Sequence, residues 1–237
     1  MHRRARHLNA KDAGARIALD ARFLSGFSNG ATVGTWTNRI GSSDFTSSGT
    51  QQPTFTASSI FGNPALTFDG VDDKMSSSTI TWSADFVLVY VGRLNRTTPY
   101  THVTIDTVAA KDDYISSGSA RVGFYSYMTN TYVTTTNTYA STEYFSGTTG
   151  FPVTIINGVT LASATGDVAV GTPYVMSANG TGSNTNANTS FSLAYQLNLN
   201  QYGKIDLAYM AYIPVSSVPL RRRFEQAAAL SYKIACS

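Results

Sequence analysis

Apolar and polar residues alternate over short stretches through most of the chain, and clusters of Gly, Asn, Ser and Pro interrupt them at close intervals. That is the pattern of many short strands joined by turns. Residues 17–24 and 31–40 read as short strands or turns of an opening meander, with Asn29-Gly30 as a tight-turn signal between them. Residues 41–52 are rich in Ser, Thr and Gly and read as a loop. Residues 64–68 and 74–76 flank an acidic turn in which Asp69 and Gly70 tolerate the backbone angles of a tight reversal.

Residues 86–94 (FVLVYVGRL) are apolar for most of their length, which predicts a central strand covered on both faces. Further strands are predicted at 121–128, 132–136, 153–156, 160–163, 174–178, 191–197 and 205–212. Asn157-Gly158 and Asn179-Gly180 mark two more turns, and residues 180–189 (GTGSNTNANT) read as an exposed loop. One helix is predicted near the C-terminus. Ser216 or Ser217 caps it, Pro219 sits in its first turn where a missing N–H is harmless, and Leu220, Phe224, Ala227 and Ala228 recur at helical spacing. Leu230 and Ile234 extend a second apolar line, and the helix is expected to cover a sheet edge or the mouth of a sandwich.

Three segments carry a resemblance. Residues 64–75 (PALTFDGVDDKM) resemble a phrase of lectin-like jelly rolls of the laminin G type, within the concanavalin A-like lectin and glucanase superfamily. Residues 17–41 resemble the same family's opening, an apolar-Leu-Asp-Ala start followed by a Gly, Val, Trp, Asn, Gly pattern. Residues 203–234 resemble its close, a strand leading into a Ser-Pro capped helix. The resemblance implies one all-β domain, an antiparallel β-sandwich of jelly-roll type with a single C-terminal α-helix, over residues 17–237.

The chain has 237 residues, 42% hydrophobic and only 13% charged, a neutral composition that suits one large β domain. Its net charge of +3 is unevenly placed. Arg3, Arg4, Arg6, Lys11 and Arg16, with His2 and His7, crowd a basic arm over residues 1–16. Such an arm can neutralise phosphates, lie on a neighbouring subunit, or simply be solvated, and nucleic acid is the less favoured partner. Arg221, Arg222 and Arg223 lie in the first turn of the predicted helix, where positive charge opposes the helix dipole. They are either a solvated face or an assembly contact.

The single cysteine, Cys236, allows no intrachain disulfide. The first residues hold no apolar run of signal-peptide length, and no segment approaches a membrane span. Synthesis in a host cytoplasm without a cleaved signal is therefore expected.

Candidate chemistry is sparse. Glycosidase relatives of the family place paired carboxylates in a Glu-x-Asp-x-x-Glu phrase, whereas the only glutamates here, Glu143 and Glu225, stand in no such phrase. His102 is the one histidine beyond the arm, with no nucleophile elbow and no zinc spacing. No catalytic residue and no cofactor is assigned. Asp69, Asp72 and Asp73 could offer oxygens to calcium, though the phrase also serves as a metal-free turn, and Asp112 and Asp113 form a lesser candidate. Tyr125, Tyr127, Tyr132, Tyr139 and Tyr144 cluster among Thr and Asn, either as a glycan-contact face or as core. Trp36 and Trp82 read as core.

The family's habit of appearing on phage particles, with the missing signal and disulfides, leads to the expectation of a non-enzymatic virion decoration or adhesion protein. Its expected partners are other virion proteins or copies of itself, and host-surface glycans. A free carbohydrate-binding lectin is the alternative and a glycoside hydrolase or lyase the outsider.

Overall fold

The computed structural model describes residues 10–11, 13–41, 43–78, 80–82, 86–95, 103–106, 121–126, 131–136, 153–156, 159–160, 171–180, 187–196, 201–215 and 217–236. In chain order the strands are β1 (Ile17–Asp20), β2 (Thr35–Trp36), β3 (Phe45–Thr46), β4 (Thr54–Ile60), β5 (Asn63–Asp69), β6 (Met75–Ser77), β7 (Ile80–Trp82) and β8 (Phe86–Leu94). They continue as β9 (Val103–Asp106), β10 (Arg121–Ser126), β11 (Thr131–Thr136), β12 (Val153–Ile156), β13 (Val159–Thr160) and β14 (Pro173–Gly180). The last are β15 (Ala187–Leu193), β16 (Tyr195–Gln196), β17 (Gln201–Tyr202) and β18 (Lys204–Ile213), followed by helix α1 (Val218–Tyr232).

One sheet runs β13-β12-β14-β8-β18-β5-β4, with β1 also paired to β18; the other runs β11-β10-β9-β15-β6-β3-β2, with β7 also on β15. The pairings are antiparallel apart from β9 with β10. The chain is therefore an all-β sandwich with one C-terminal helix, as the pattern predicts.

Burial along β8 explains the layering. Phe86, Leu88 and Tyr90 enter the core between the sheets, with Leu66, Phe68, Tyr174, Met176 and Tyr212 from the same sheet and Trp36, Phe45, Met75 and Phe191 from the other. The alternate residues Val87, Val89 and Val91 pack with Val175, Ala211 and Ile213 on the opposite face, beneath Phe224, Ala228, Ala229 and Tyr232 of α1. A strand apolar on both faces demands two covers. The helix supplies the second by lying across the outer face of the first sheet, rather than over an edge or mouth as expected.

Helix α1 starts where Ser217 accepts a hydrogen bond from the Leu220 N–H at 3.3 Å, and it ends at Lys233 in the left-handed region, φ 58°. Leu230 is 69% exposed and does not extend the apolar line. Arg221 and Glu225 are buried on the helix face instead. Other differences are local. The expected loop at 41–52 contains β3 and a 3-10 turn, Gly49–Gln51. Asn179 and Gly180 pair with Val87 and Phe86 inside the β14–β8 ladder rather than forming a turn, and residues 187–189 belong to β15.

Among the described residues, no helix is long and apolar enough to cross a membrane.

A bulge interrupts β18. Leu207 pairs with Gly92 and Tyr209 with Val91, so Ala208 is the extra residue. At the same point β18 changes its other neighbour, from β5 over Lys204–Leu207 to β1 over Tyr209–Tyr212. Gly92 faces the bulge because a Cβ there would stand 3.0 Å from the Asp206 carbonyl oxygen.

Candidate functional site

A ligand-sized pocket of about 620 Å³ lies where β1 and the 3-10 turn after it (Ala21–Phe23), the bulged stretch of β18 and helix α1 meet. Ala10, Ala18, Ile40, Phe224, Ala227 and Ala228 give it apolar walls. Its polar groups are Lys11, Asp20, Arg22, Arg39, Tyr209, Ser231 and Tyr232, and the exposed ring of Phe23 stands among them.

The floor is built from the Leu-Asp-Ala-Arg segment. Asp20 ends β1 and caps the 3-10 turn, its Oδ1 accepting from the Arg22 backbone N–H at 3.0 Å. Arg22 folds back onto the same carboxylate, Nε to Oδ1 at 2.9 Å and Nη2 to Oδ2 at 2.6 Å. The Tyr232 hydroxyl shares its one proton between Asp20 Oδ1 at 3.0 Å and the Ala208 carbonyl at 2.9 Å. The bulge residue's carbonyl is thus satisfied by the helix, as a buried backbone acceptor must be. Arg22 also stands 4.7 Å above the Tyr232 ring. Asp20 is 5% exposed and accepts four hydrogen bonds, so it is committed to holding the floor together.

Arg39 reaches the pocket from a second anchored segment. Asn38 is buried, its Oδ1 accepting from the Ala18 N–H at 2.9 Å and its Nδ2 donating to the Arg16 carbonyl at 2.8 Å. Gly41 keeps this asparagine in place, since a Cβ there would meet Asn38 Nδ2 at 2.7 Å. The Arg39 N–H then donates to the Ala18 carbonyl at 3.0 Å. The Trp-Thr-Asn-Arg-Ile-Gly stretch is therefore a clip onto β1 that presents the Arg39 side chain. The guanidinium carbon of Arg39 lies 3.4 Å from the centroid of the Phe23 ring, which is 56% exposed. Arg39 has no hydrogen-bond partner for its guanidinium among the described residues.

Two further groups have unused capacity. Tyr209 lines the pocket and its hydroxyl makes no hydrogen bond among the described residues, and Arg22 Nη1 makes none either. Burial first, and then the Asp20 charge, push the Tyr209 phenol well above its ordinary range, against the smaller pull of Arg22 and Arg39. Burial and Asp20 push Tyr232 up in the same way. Both phenols stay neutral at physiological pH. With Lys11, Arg22 and Arg39 against Asp20, the lining carries more positive than negative charge. Among the described residues it offers donors to an anion and one carboxylate, Asp20, which is already bonded.

The site residues expected from the sequence lie elsewhere. Asp69, Asp72 and Asp73 do come together, one carboxylate oxygen of each within 4.8 Å of the others. Asp69 Oδ1 accepts from the N–H groups of Val71 at 2.8 Å and of Asp72 and Asp73 at 3.3 Å, and Asp73 Oδ2 accepts from the Asp69 N–H at 2.9 Å. These bonds close the acidic phrase on itself as a turn. Burial, with Asp69 and Asp72 adding to it, pushes the Asp73 carboxyl up to about 6.

Tyr125 and Tyr132 are register partners on β10 and β11, while Tyr127, Tyr139, Tyr144, Asp112, Asp113, His102, Glu143, Arg3, Arg4 and Arg6 lie outside the described residues. Arg222 and Arg223 are exposed. Arg221 is 2% exposed and donates from Nη1 to Ser177 Oγ at 3.5 Å, which removes it from any assembly face. Ser177 Oγ in turn donates to Glu225 Oε2 at 3.2 Å. Burial and the neighbouring Glu225 push the Cys236 thiol up to about 11, which disfavours its thiolate at neutral pH. Trp36 is core, as expected.

Sequence reasoning missed the pocket residues. Residues 20–23 and 38–41 fall within segments singled out for the fold, yet nothing in their spacing joins them to Tyr209 and Tyr232.

No family model matches the chain, and no curated protein matches it. Among solved structures, two of Trypanosoma rangeli sialidase are similar in fold. One is in complex with sialic acid, at a TM-score of 0.46, and the other has a TM-score of 0.48. Both are 9% identical, with 92% of this chain and 33% of the sialidase chain covered. The chain thus spans about a third of the length of these structures. The structures that the fold resembles are sialidases rather than virion components, and the expectation of a non-enzymatic virion decoration protein is accordingly withdrawn. At this identity and TM-score the likeness carries no argument for a sialidase activity.

Proposed function

We propose that this domain binds a small anionic ligand in the pocket between the 3-10 turn after β1 and helix α1. The observation that carries the reading is Arg39. Its backbone is fixed by the clip onto β1 and its exposed side chain lies over the Phe23 ring, at the wall of a pocket of about 620 Å³, with no hydrogen-bond partner for the guanidinium among the described residues. A preorganised guanidinium recognises an anion with little loss of side-chain entropy. The second arginine supports the reading by its different state, since Arg22 has a carboxylate partner and Arg39 has none. Asp20, saturated by four donors, shapes the floor without opposing the anion as a free carboxylate would.

The test is calorimetric titration of the full chain with small anions of different shape, including acetate, inorganic phosphate, sulfate and glucuronate, beside neutral glucose. The expected result is saturable binding of at least one anion that weakens roughly tenfold or more in Arg39→Ala, as loss of a charge-assisted hydrogen bond implies. Anion binding unchanged in Arg39→Ala, or no anion binding at all, would refute the proposal.

A further inference from the structure

The pocket's anion site has a second recognisable component, the Tyr209 hydroxyl, and the geometry points to a carboxylate on a compact ring as the ligand that Arg39 and Tyr209 read together. The inference rests on the anion-binding reading above and adds the chemical class of the head group and a specificity-determining residue.

Three features of the pocket select that class. The first is the shape of the donors. A guanidinium stacked on an aromatic ring presents its N–H groups along one plane, and a carboxylate meets such a fork with two parallel hydrogen bonds. Arg39, 3.4 Å over Phe23, is held in that way.

The second is the balance of charge. A phosphate or sulfate dianion in a confined site calls for several cations or a nest of backbone N–H groups. Here one of the two arginines is already neutralised by Asp20, whose carboxylate is part of the same lining. A dianion would be brought up against that negative charge with only Arg39 and the exposed Lys11 of the lining to meet it, whereas a single charge is matched by Arg39.

The third is Tyr209. It comes directly after the Ala208 bulge, which turns the strand from β5 to β1 and brings the side chain of Tyr209 into the pocket. A phenol kept neutral by its surroundings is a donor whose proton is always present, suited to the second oxygen of a carboxylate. Tyr209 and Arg39 line the same pocket. Beyond the polar groups, Ile40, Ala18, Ala227 and Phe224 offer an apolar surface for a ring body. The ring of a sugar acid and that of an aromatic acid share this chemistry, and their affinities tell the two sources apart.

The experiment compares the unaltered full chain with Arg39→Ala and Tyr209→Phe, the second of which keeps the ring and removes only the hydroxyl. The ligands titrated are glucuronate, benzoate, the uncharged methyl ester of glucuronate, glucose and inorganic phosphate, with thermal melts run on each variant to confirm folding. Glucuronate or benzoate is expected to bind at least tenfold more tightly than phosphate, the ester and glucose. Tyr209→Phe is expected to weaken the carboxylate roughly fivefold at an unchanged melting temperature, and Arg39→Ala to abolish the preference. The tighter of the two acids identifies the ring body. Phosphate binding as tightly as either carboxylate, with loss in Arg39→Ala, would overturn this inference and leave the anion-binding reading standing. Full carboxylate affinity in Tyr209→Phe would overturn the role of Tyr209. No effect of Arg39→Ala on any ligand would overturn both.

Discussion

Two parts of this molecule concentrate charged side chains, and they differ in what those side chains have left to give. In the acidic turn three aspartates converge, but Asp69 and Asp73 accept from the turn's own backbone N–H groups, so the cluster is consumed in making a tight reversal. In the pocket, Asp20, Tyr232 and two of the three guanidinium nitrogens of Arg22 are consumed in the same way, holding β1, the β18 bulge and α1 together. Arg39 and Tyr209 beside them are not. Proximity of charge alone therefore does not distinguish a scaffold from a site. Unused hydrogen-bonding capacity, presented by anchored backbone at the wall of a cavity, does.

Substitutions in either region should respond according to this difference, and the largest effect belongs to Asp20. Asp20→Ala leaves the Arg22 guanidinium without its acceptor and the Tyr232 hydroxyl with the Ala208 carbonyl alone, and is expected to lower stability by about 3 kcal/mol in a urea melt. A loss below about 1 kcal/mol would mean that the floor is not held by this carboxylate.

Next comes Tyr232→Phe, which strands the Ala208 carbonyl at the bulge and is expected to cost about 1–2 kcal/mol. A fully stable variant would show that this acceptor finds another partner.

The acidic turn should respond to pH in the opposite sense to an ordinary ion-paired carboxylate. The Asp73 carboxyl is pushed up to about 6 from a usual value of 3.8, so between those values the folded chain holds a proton that the unfolded chain releases. This group favours folding below about pH 4, and its contribution is progressively lost as pH rises through 6. Asp73→Asn, whose amide oxygen can still accept the Asp69 N–H, is expected to stabilise the chain by roughly 1–2 kcal/mol at pH 7.5 and by much less at pH 4. The check is the difference in unfolding free energy between variant and parent at the two pH values. An equal difference at both would remove the titration from the explanation.

Arg39→Ala should have the smallest effect on stability, within about 0.5 kcal/mol, because its guanidinium holds nothing but the exposed face of Phe23. A loss of 2 kcal/mol in thermal or urea melts would make Arg39 a scaffold residue like Arg22.

How far these features could be read from the sequence depends on their range along the chain. β8 and the start of α1 were legible because each is encoded locally, one by a run of apolar residues and the other by Ser217 with Pro219. The inner face of α1 was only half legible. Hydropathy favoured Leu230, whereas Arg221 and Glu225 occupy the buried face around Ser177, whose hydroxyl bonds to both while Arg221 Nε is left without a hydrogen-bond partner among the described residues. The bulge at Ala208 leaves no compositional mark, since no glycine or proline is needed at it; the glycine it requires, Gly92, is on the opposite strand. The pocket was illegible for a related reason. Phe23, Arg39, Tyr209 and Tyr232 come from four separated segments, and only the pairing of β1 with β18 and the crossing of α1 bring them together. The acidic turn was legible as a cluster, but its self-satisfaction depends on which backbone N–H groups face the carboxylates.

Nuclear magnetic resonance of the arginine Nε–H groups during titration with glucuronate separates a binding arginine from a scaffold arginine within one sample. A saturable shift of the Arg39 signal is expected, with a smaller one at Arg22 and none at Arg93, whose Nε donates to Asp206 at 2.9 Å on another part of the sheet. Backbone amides of the acidic turn should stay in place. A still Arg39 signal, or saturable shifts confined to the acidic turn, would contradict the assignment of Arg39 as the group that receives the anion.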